Sequence, residues 1–449
     1  MTQCTTNSMQ FSRLKGRKIQ ADFKGGAITS DAGAVLLREV DKRIRLINAI
    51  NACIPDPRNP FFVTHTQRSM LAQRIMAIAQ GYEDLNDHQI LKEDPLFQMA
   101  TDRGIDPEHP LASTTTLWRL EDRVDRRAMV KIVETFVEQF IHSHTTEPSQ
   151  IVLDFDATDD PLHGQQEGRF FHGYYDCYCY LPLYIFCGDQ LLVPYLRPSN
   201  IDGAKHSWAI LKLLVQRFRE VWPDVRIIFR GDSGFCRWKM MRWCDRQGVY
   251  YVIGLAKNPV LLREVHQLKQ QAQRQFEQTS QTQRLLGSFS YGASTWDRKR
   301  RVMARIEHNA KGTNPRFIVS NLPGSPKQLY YEFYCARGDM ENRIKEQQLW
   351  LFADRTSSRS FLSNQFRLLM SSAAYILLED LRRLGLKHTT LSRSQSGTIR
   401  NKLLKIGARL VVSVRRIILH LSTGYPYAEL FQEIVTRITR QSPDDFKFG

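Results

Sequence analysis

The chain has 449 residues, long enough for roughly three domains of ordinary size, and its 42% hydrophobic and 24% charged content is that of a folded globular protein. No apolar run reaches the ~18 residues needed to span a bilayer, and the N-terminus MTQCTTNSMQFSRLKGRK has no apolar signal segment; both argue against a membrane or secreted protein and set the expectation of a cytoplasmic one. The 63 Lys and Arg against 46 Asp and Glu give a net charge of +17, which points to a polyanionic partner, nucleic acid being the commonest.

That charge is unevenly placed. Residues 1–150 are balanced, with 19 basic and 19 acidic residues, whereas 257–312 carry 11 against 4 and 355–449 carry 16 against 6. The last two segments account for the whole excess, so two separated stretches are expected to meet the polyanion. Eight cysteines (Cys4, Cys53, Cys177, Cys179, Cys187, Cys236, Cys244, Cys335) show no CxxC pair and no Cys/His zinc spacing, and are expected to be mostly small buried apolar side chains.

In chain order, the basic first 20 residues are expected to form a flexible arm. A helix over about 30–49, capped by Ser30 or Asp31, has an apolar side of Val35, Leu36, Leu37, Val40, Ile44 and Leu46. A second helix over 67–80 stops at Gly81, and a short one lies within 81–97. Ser113 starts a third, and amphipathic spacing continues through 129–141. Residues 1–148 thus read as a helical N-terminal domain, either a DNA-binding unit or a packing module.

From 151 the pattern changes. Residues 151–156 (IVLDFD), 178–187 and 191–196 read as strands, with Pro182 and Pro194 at edge or bulge positions; 203–221 as a helix; 225–230 as a strand ending at Gly231-Asp232; 235–247 as a helix and 249–255 as a strand. This order fits an α/β, ribonuclease-H-like catalytic core over 149–256 and 326–385. A right-handed crossover makes the strands at 151 and 225 parallel neighbours about 4.8 Å apart, with coincident C-terminal ends. Asp156 and Asp232 then end adjacent strands and can share a divalent ion. Asp154 lies on the same face as Asp156, because side chains alternate along a strand.

Residues 257–325 break the rhythm: a polar helix over 259–278 is followed by alternating, strand-like segments, a β-rich insertion within the core. Trp296 precedes Arg298, Lys299, Arg300 and Arg301, suited either to stacking on an unpaired base beside phosphates or to a half-buried hairpin with solvated charges. In YYEFYCARGDMENRIKEQQLWLF the helix after Gly338 places Arg337, Glu341, Lys345 and Gln348 on one side. Glu341 is a third carboxylate for two cations about 3.5–4 Å apart, or simply the i,i+4 partner of Lys345.

Here the chain resembles the DDE transposases of bacterial insertion sequences. The resemblance rests on D-x-T at Asp156 and Thr158, on Asp232 in FRGDSGF, and on Y-x2-R-x3-E at Tyr334, Arg337 and Glu341; ITSDAG, GYEDLNDH, LASTTTLWRLE and NQFRLLMSSAAYIL extend it over nearly the whole chain. It implies catalysis by Asp156, Asp232 and Glu341 with two Mg²⁺ (or Mn²⁺) ions, double-stranded DNA (terminal inverted repeats and target) as partner, and a homodimer on DNA. D-x-T favours Asp156 over Asp154 as the ligand, with Asp154 and Thr158 as hydrogen-bonding support. Trp296 is the candidate to hold a flipped base should a hairpin end form. The family usually has a Lys seven residues after the Glu, where this chain has Gln348; Lys345, one turn earlier, is the candidate substitute.

A helix over 360–384 is expected to pack on the core. The basic C-terminal region, 386–449, includes 399–421, which reads as strand or helix; Arg400, Lys402, Lys405, Arg409, Arg415 and Arg416 are assigned to phosphate contact. Two other functions fit less well: a metal-dependent nuclease of the same fold without strand transfer, and a non-catalytic DNA-binding descendant.

Overall fold

A computed structural model describes residues 8–440. Cys4 and the first seven residues of the basic N-terminal segment lie outside them. The architecture is mixed α/β, built on an eight-stranded sheet ordered Gln283–Tyr291, Arg300–Asn309, Gly312–Ser320, Tyr250–Leu255, Arg226–Gly231, Gln150–Ala157, Leu183–Cys187, Gln190–Tyr195. The Arg226–Gly231 strand runs parallel to both its neighbours, and every other pairing is antiparallel. Pro194 sits on the edge strand, where its missing N–H costs no ladder bond.

Strand alternation assigns the two faces. Ile151, Leu153, Phe155, Ile227 and Phe229 point to one side, against helices Ser207–Val221 and Trp238–Arg246. Val152, Ile228 and Val252 point to the other, against Leu329, Tyr330 and Tyr334. Asp154 and Asp156 share that second face with Val152, so the segment carrying Tyr334, Arg337 and Glu341 covers the face on which both aspartates emerge.

The segment expected as a separate insertion is part of this sheet. Gly312–Ser320 pairs with Tyr250–Leu255 from Val252↔Ser320 to Leu255↔Phe317, so residues 283–320 extend the sheet by three antiparallel strands. The helical module is likewise not self-contained. Helix Gln67–Gln80 is buried almost all round, because helix Phe361–Leu381 packs on one side of it and helix Ala34–Ile44 on another. Ile399, Leu403, Leu404, Ile434 and Ile438 from the C-terminal region join the same core.

Three local expectations change. The basic N-terminal segment contains a hairpin, Met9–Leu14 with Arg17–Ala21, turning through Lys15 and Gly16 at positive φ. The first long helix is two: Ala34–Ile44 ends where Arg45 turns left-handed (φ 54°), and Leu46–Cys53 follows. Neither Ser30 nor Asp31 caps it; Asp31 is buried and accepts from Tyr82 Oη (2.8 Å) and Lys405 Nζ (2.5 Å). The 399–421 stretch is helical to Leu404 and then a hairpin, Ala408–Val412 with Ile417–Leu421, whose first strand pairs with Ile28–Thr29.

Candidate active site

The parallel pairing of Arg226–Gly231 with Gln150–Ala157 runs from Arg226↔Gln150 to Gly231↔Phe155. One residue further on, Asp232 is level with Asp156 at the strand ends. Asp232 then turns the chain by accepting from Gly234 N (2.8 Å), which fixes its carboxylate as the strand stops. Asp156 is largely buried, and that burial is the main reason its carboxyl is pushed up to about 7. Arg337 opposes the shift, and the charges of Asp232 and Glu341 add to it. The three carboxylates therefore sense one another, and Arg337 is the cation between them: its Nη1 lies 3.6 Å from Asp156 Oδ1 and its Nη2 donates to Glu341 Oε1.

The helix carrying Glu341, Gly338–Leu351, is held from behind. Glu346 is buried and accepts from Ser396 Oγ (2.6 Å), with Arg343 (2.9 Å) and Arg382 as ion-pair partners. Gln347 donates to Ser372 Oγ (2.7 Å) on the long helix. Gln348, standing where the resemblance implies Lys, donates to the Asp159 carbonyl (3.2 Å), tying this helix to the loop after the Asp156 strand. Lys345 is exposed on the same helix.

Tyr334 closes the opposite side. A Cβ on Gly254 would lie 2.7 Å from Tyr334 Oη, 2.8 Å from Ser233 N and 3.1 Å from Asp232 C. The absence of a side chain at 254 is what lets the phenol and the Asp232 turn share that space. Burial raises the Tyr334 phenol, with Arg337 acting against it.

Asp154 lies one pleat deeper and faces Arg230, its register partner on the parallel strand. Arg230 Nη2 donates to Asp154 Oδ2 (2.6 Å) and Nη1 donates to the Phe333 carbonyl, so the pair bonds to the chain one residue before Tyr334. Burial raises the Asp154 carboxyl while Arg230 lowers it. Nothing local in the sequence marks Arg230; its signal is the register, which sets an Arg 76 positions after an Asp beside it on a parallel neighbour. Thr158 bonds through its backbone, its N–H donating to the Pro182 carbonyl (3.3 Å).

Several residues assigned to DNA are used inside the protein. Arg300 is only 4% exposed and is held by Asp245 (3.2 Å), Asp297 (2.9 Å) and the Tyr251 hydroxyl (3.1 Å). Arg298 also pairs with Asp245 (2.7 Å). Trp296 is half-buried edge-on against Tyr291, with the Arg300 guanidinium 5.6 Å from its ring; it belongs to the packing of this corner. Arg301 is half-buried on the Arg300–Asn309 strand. Arg400 is buried and donates to the Ala79 (2.9 Å) and Trp350 carbonyls, and Lys405 is committed to Asp31. These cations satisfy carbonyls and carboxylates that burial would otherwise orphan. Lys402 is half-buried, 5.3 Å from the Tyr427 ring, whereas Arg409, Arg415 and Arg416 are exposed on the 408–421 hairpin.

Among the described residues, no group of three His, Cys, Asp or Glu side chains is close enough to hold a metal ion as it stands. The donors at the Asp156 site are hard carboxylate oxygens, which suit Mg²⁺ or Mn²⁺, and Arg337 supplies the positive charge there. No helix among the described residues is long and apolar enough to cross a membrane.

Comparison with solved structures gives a piggyBac transposase synaptic complex with hairpin DNA, with 14% identity, a TM-score of 0.43, and coverage of 84% of this chain and 80% of that one. No curated protein matches. A family model described as transposase DDE domain group 1 matches residues 11–443. The chain therefore belongs to the DDE transposase family.

Proposed function

We propose that this protein cleaves DNA at the ends of a bacterial insertion sequence and joins the freed 3′-hydroxyls to target DNA, with Asp156, Asp232 and Glu341 as the catalytic carboxylates. The observation that carries the proposal is the clustering of these three acids around Arg337, two of them level at the ends of adjacent parallel strands. Three antiparallel strands followed by two parallel ones support a ribonuclease-H-like core.

Asp156, Asp232 and Glu341 would hold two Mg²⁺ ions, which when bound supply Lewis acidity at the attacking and leaving oxygens of an in-line displacement. The chain's own groups do the rest. Without a cation, Arg337 neutralises Asp156 and Glu341. Once these acids have another counter-charge, its guanidinium is free to take phosphate oxygens in a fork. Tyr334, beside the Asp232 turn, orients the same phosphate. Gln348 anchors the helix through the Asp159 carbonyl, so the phosphate contact falls to Arg337 and to exposed Lys345. Both ends of the element must be held at once, which calls for a homodimer on DNA, with Arg409, Arg415 and Arg416 on its phosphates.

The test is a joining assay with pre-cleaved terminal repeats and Mg²⁺. Joined product in the wild type, lost in Asp156→Asn, Asp232→Asn and Glu341→Gln, supports the proposal. Cleavage without joining would identify a nuclease instead.

A further inference from the structure

Residues 158–182, between the Asp156 strand and its neighbour Leu183–Cys187, fold into a satellite sheet ordered Asp160–Pro161, Cys177–Tyr180, Phe170–His172. Its back is anchored. Tyr180 donates to the Glu167 carbonyl (2.6 Å), its ring meets Phe361 edge-to-face, and buried Asp160 accepts from Thr356 (3.3 Å). Its outer side is aromatic and open: Phe171 is 53% exposed, Tyr174 85% and Tyr178 46%. Phe171 and Tyr178 are register partners with edge-to-face rings 5.6 Å apart. The Arg169 guanidinium lies 4.4 Å from the Tyr178 ring centre and is held there by donating to the Gly164 carbonyl.

This surface joins the candidate active site through Tyr175. Tyr174 packs edge-on against Tyr175 (5.0 Å), and the Tyr175 hydroxyl donates to the carbonyl of Ala157, the residue after Asp156 (3.3 Å). Isolated exposed rings are ordinary, but several on one short hairpin mark a binding surface. Flat rings with polar tips and a stacked guanidinium match nucleobases better than they match an aliphatic protein face, because every base offers a π-face whatever its identity.

We propose that hairpin 169–178 is a stacking platform for unpaired bases of the DNA strand whose phosphodiester sits at Asp156 and Asp232. Phe171, Tyr174 and Tyr178 take the bases, and Arg169 takes the adjoining phosphate. The proposal rests on the site being a DNA-processing one. It moves base capture from Trp296, whose ring is packed against Tyr291, to the excursion that follows the first aspartate.

The test uses full-length protein in EDTA and a short duplex with a three-nucleotide unpaired end carrying 2-aminopurine, whose emission falls on stacking. The wild type quenches the unpaired probe. Tyr174→Ala and Tyr178→Ala relieve the quench and weaken binding of the unpaired end by roughly 10-fold, Tyr174→Phe retains both, and a fully paired probe distinguishes none of them. Because Tyr174 is exposed, its replacement leaves the fold intact. Unchanged quenching in the Ala variants overturns the proposal. Ring variants that turn a DNA-free dimer into a monomer by light scattering also overturn it, assigning the surface to a second copy of the chain. The quench is read in EDTA, without cleavage or joining, so loss of joining in the carboxylate variants bears on the proposed function and loss of the quench in the ring variants bears on the hairpin alone.

Discussion

Arg337 stands 3.6 Å from Asp156, whose carboxyl burial pushes up to about 7. A guanidinium in that position competes with any cation the acids bind. In Arg337→Ala, metal-free protein is expected to lose on the order of 2 kcal/mol, as acids clustered in a partly buried site lose their counter-charge. Mg²⁺ is expected to raise the melting temperature of the variant more than that of the wild type. Equal Mg²⁺ responses in a thermal melt would show that Arg337 and the cation do not compete.

The pH response has a definite sign. The Asp156 carboxyl sits at about 7 in the folded protein, against about 3.9 in an unfolded chain. Between these values the native state keeps a proton that the unfolded chain has lost, so this group's contribution to metal-free stability declines as pH rises from about 4 to about 7. Cation binding must expel that proton, so Mg²⁺ affinity falls as pH drops from 8 to 6, with proton release visible by calorimetry in buffers of different ionisation enthalpy. Asp156→Asn removes both effects.

Beneath the site, Asp154 and Arg230 are each other's main charge partners in a buried setting. Asp154→Ala leaves the Arg230 charge uncompensated and is expected to cost about 3–5 kcal/mol in chemical denaturation, with much of it recovered when Arg230→Met is added. Asp156→Asn at pH 8 without metal is expected to be neutral or stabilising, since it relieves repulsion with Asp232 and Glu341. Equal destabilisation by the two single changes would contradict the division of labour between these aspartates.

Gly254→Ala places a Cβ against backbone at Ser233 and Asp232 and against the Tyr334 hydroxyl. The Asp232 turn cannot retreat without moving its carboxylate. Cleavage activity is expected to drop on the order of 10²-fold for a small displacement of a reacting group, while circular dichroism stays that of the wild type.

The exposed pair Arg415 and Arg416 and the buried Arg400 are expected to separate in a salt titration of DNA affinity. Arg415→Ala with Arg416→Ala lowers the slope of log K against log salt by about 2 and leaves the melting temperature unchanged. Arg400→Ala lowers the melting temperature, because it strips the Ala79 and Trp350 carbonyls of their donor.

The strand ends and the helix that bring Asp156, Asp232 and Glu341 together were the most legible part of the sequence. Two acids ending apolar runs, and a Glu four residues after an Arg on a helix, are local patterns. The strand–helix–strand order between the aspartates was enough to make the runs parallel neighbours. Asp154 was separated from Asp156 by D-x-T, and the structure turns Asp154 to Arg230. Partnership of charges was not legible. Arg300 and Arg301 are adjacent in an undifferentiated basic run, yet strand alternation buries the first over Asp245 and Tyr251 and leaves the second half-buried. Arg400 and Lys405 had the same problem, since their partners, Ala79 and Asp31, lie more than 300 residues away in sequence. The 283–320 strands read as an insertion because alternation gives a strand's faces without its neighbour, and Val252↔Ser320 is a long-range pairing.

One core joins helix Gln67–Gln80 to helix Phe361–Leu381 and to Ile399, Leu403, Ile434 and Ile438, and this sets the timing of folding during synthesis. The N-terminal helices emerge first and pack on one another, but helix Gln67–Gln80 lacks its main partner, helix Phe361–Leu381, until that helix has been synthesised. At about 5–20 residues per second it waits tens of seconds for that partner. A chain truncated before 396 lacks Arg400, which donates to the Ile78 and Ala79 carbonyls at the end of helix Gln67–Gln80. Premature termination is therefore expected to yield an aggregation-prone product in place of a DNA-binding fragment able to compete with the intact enzyme.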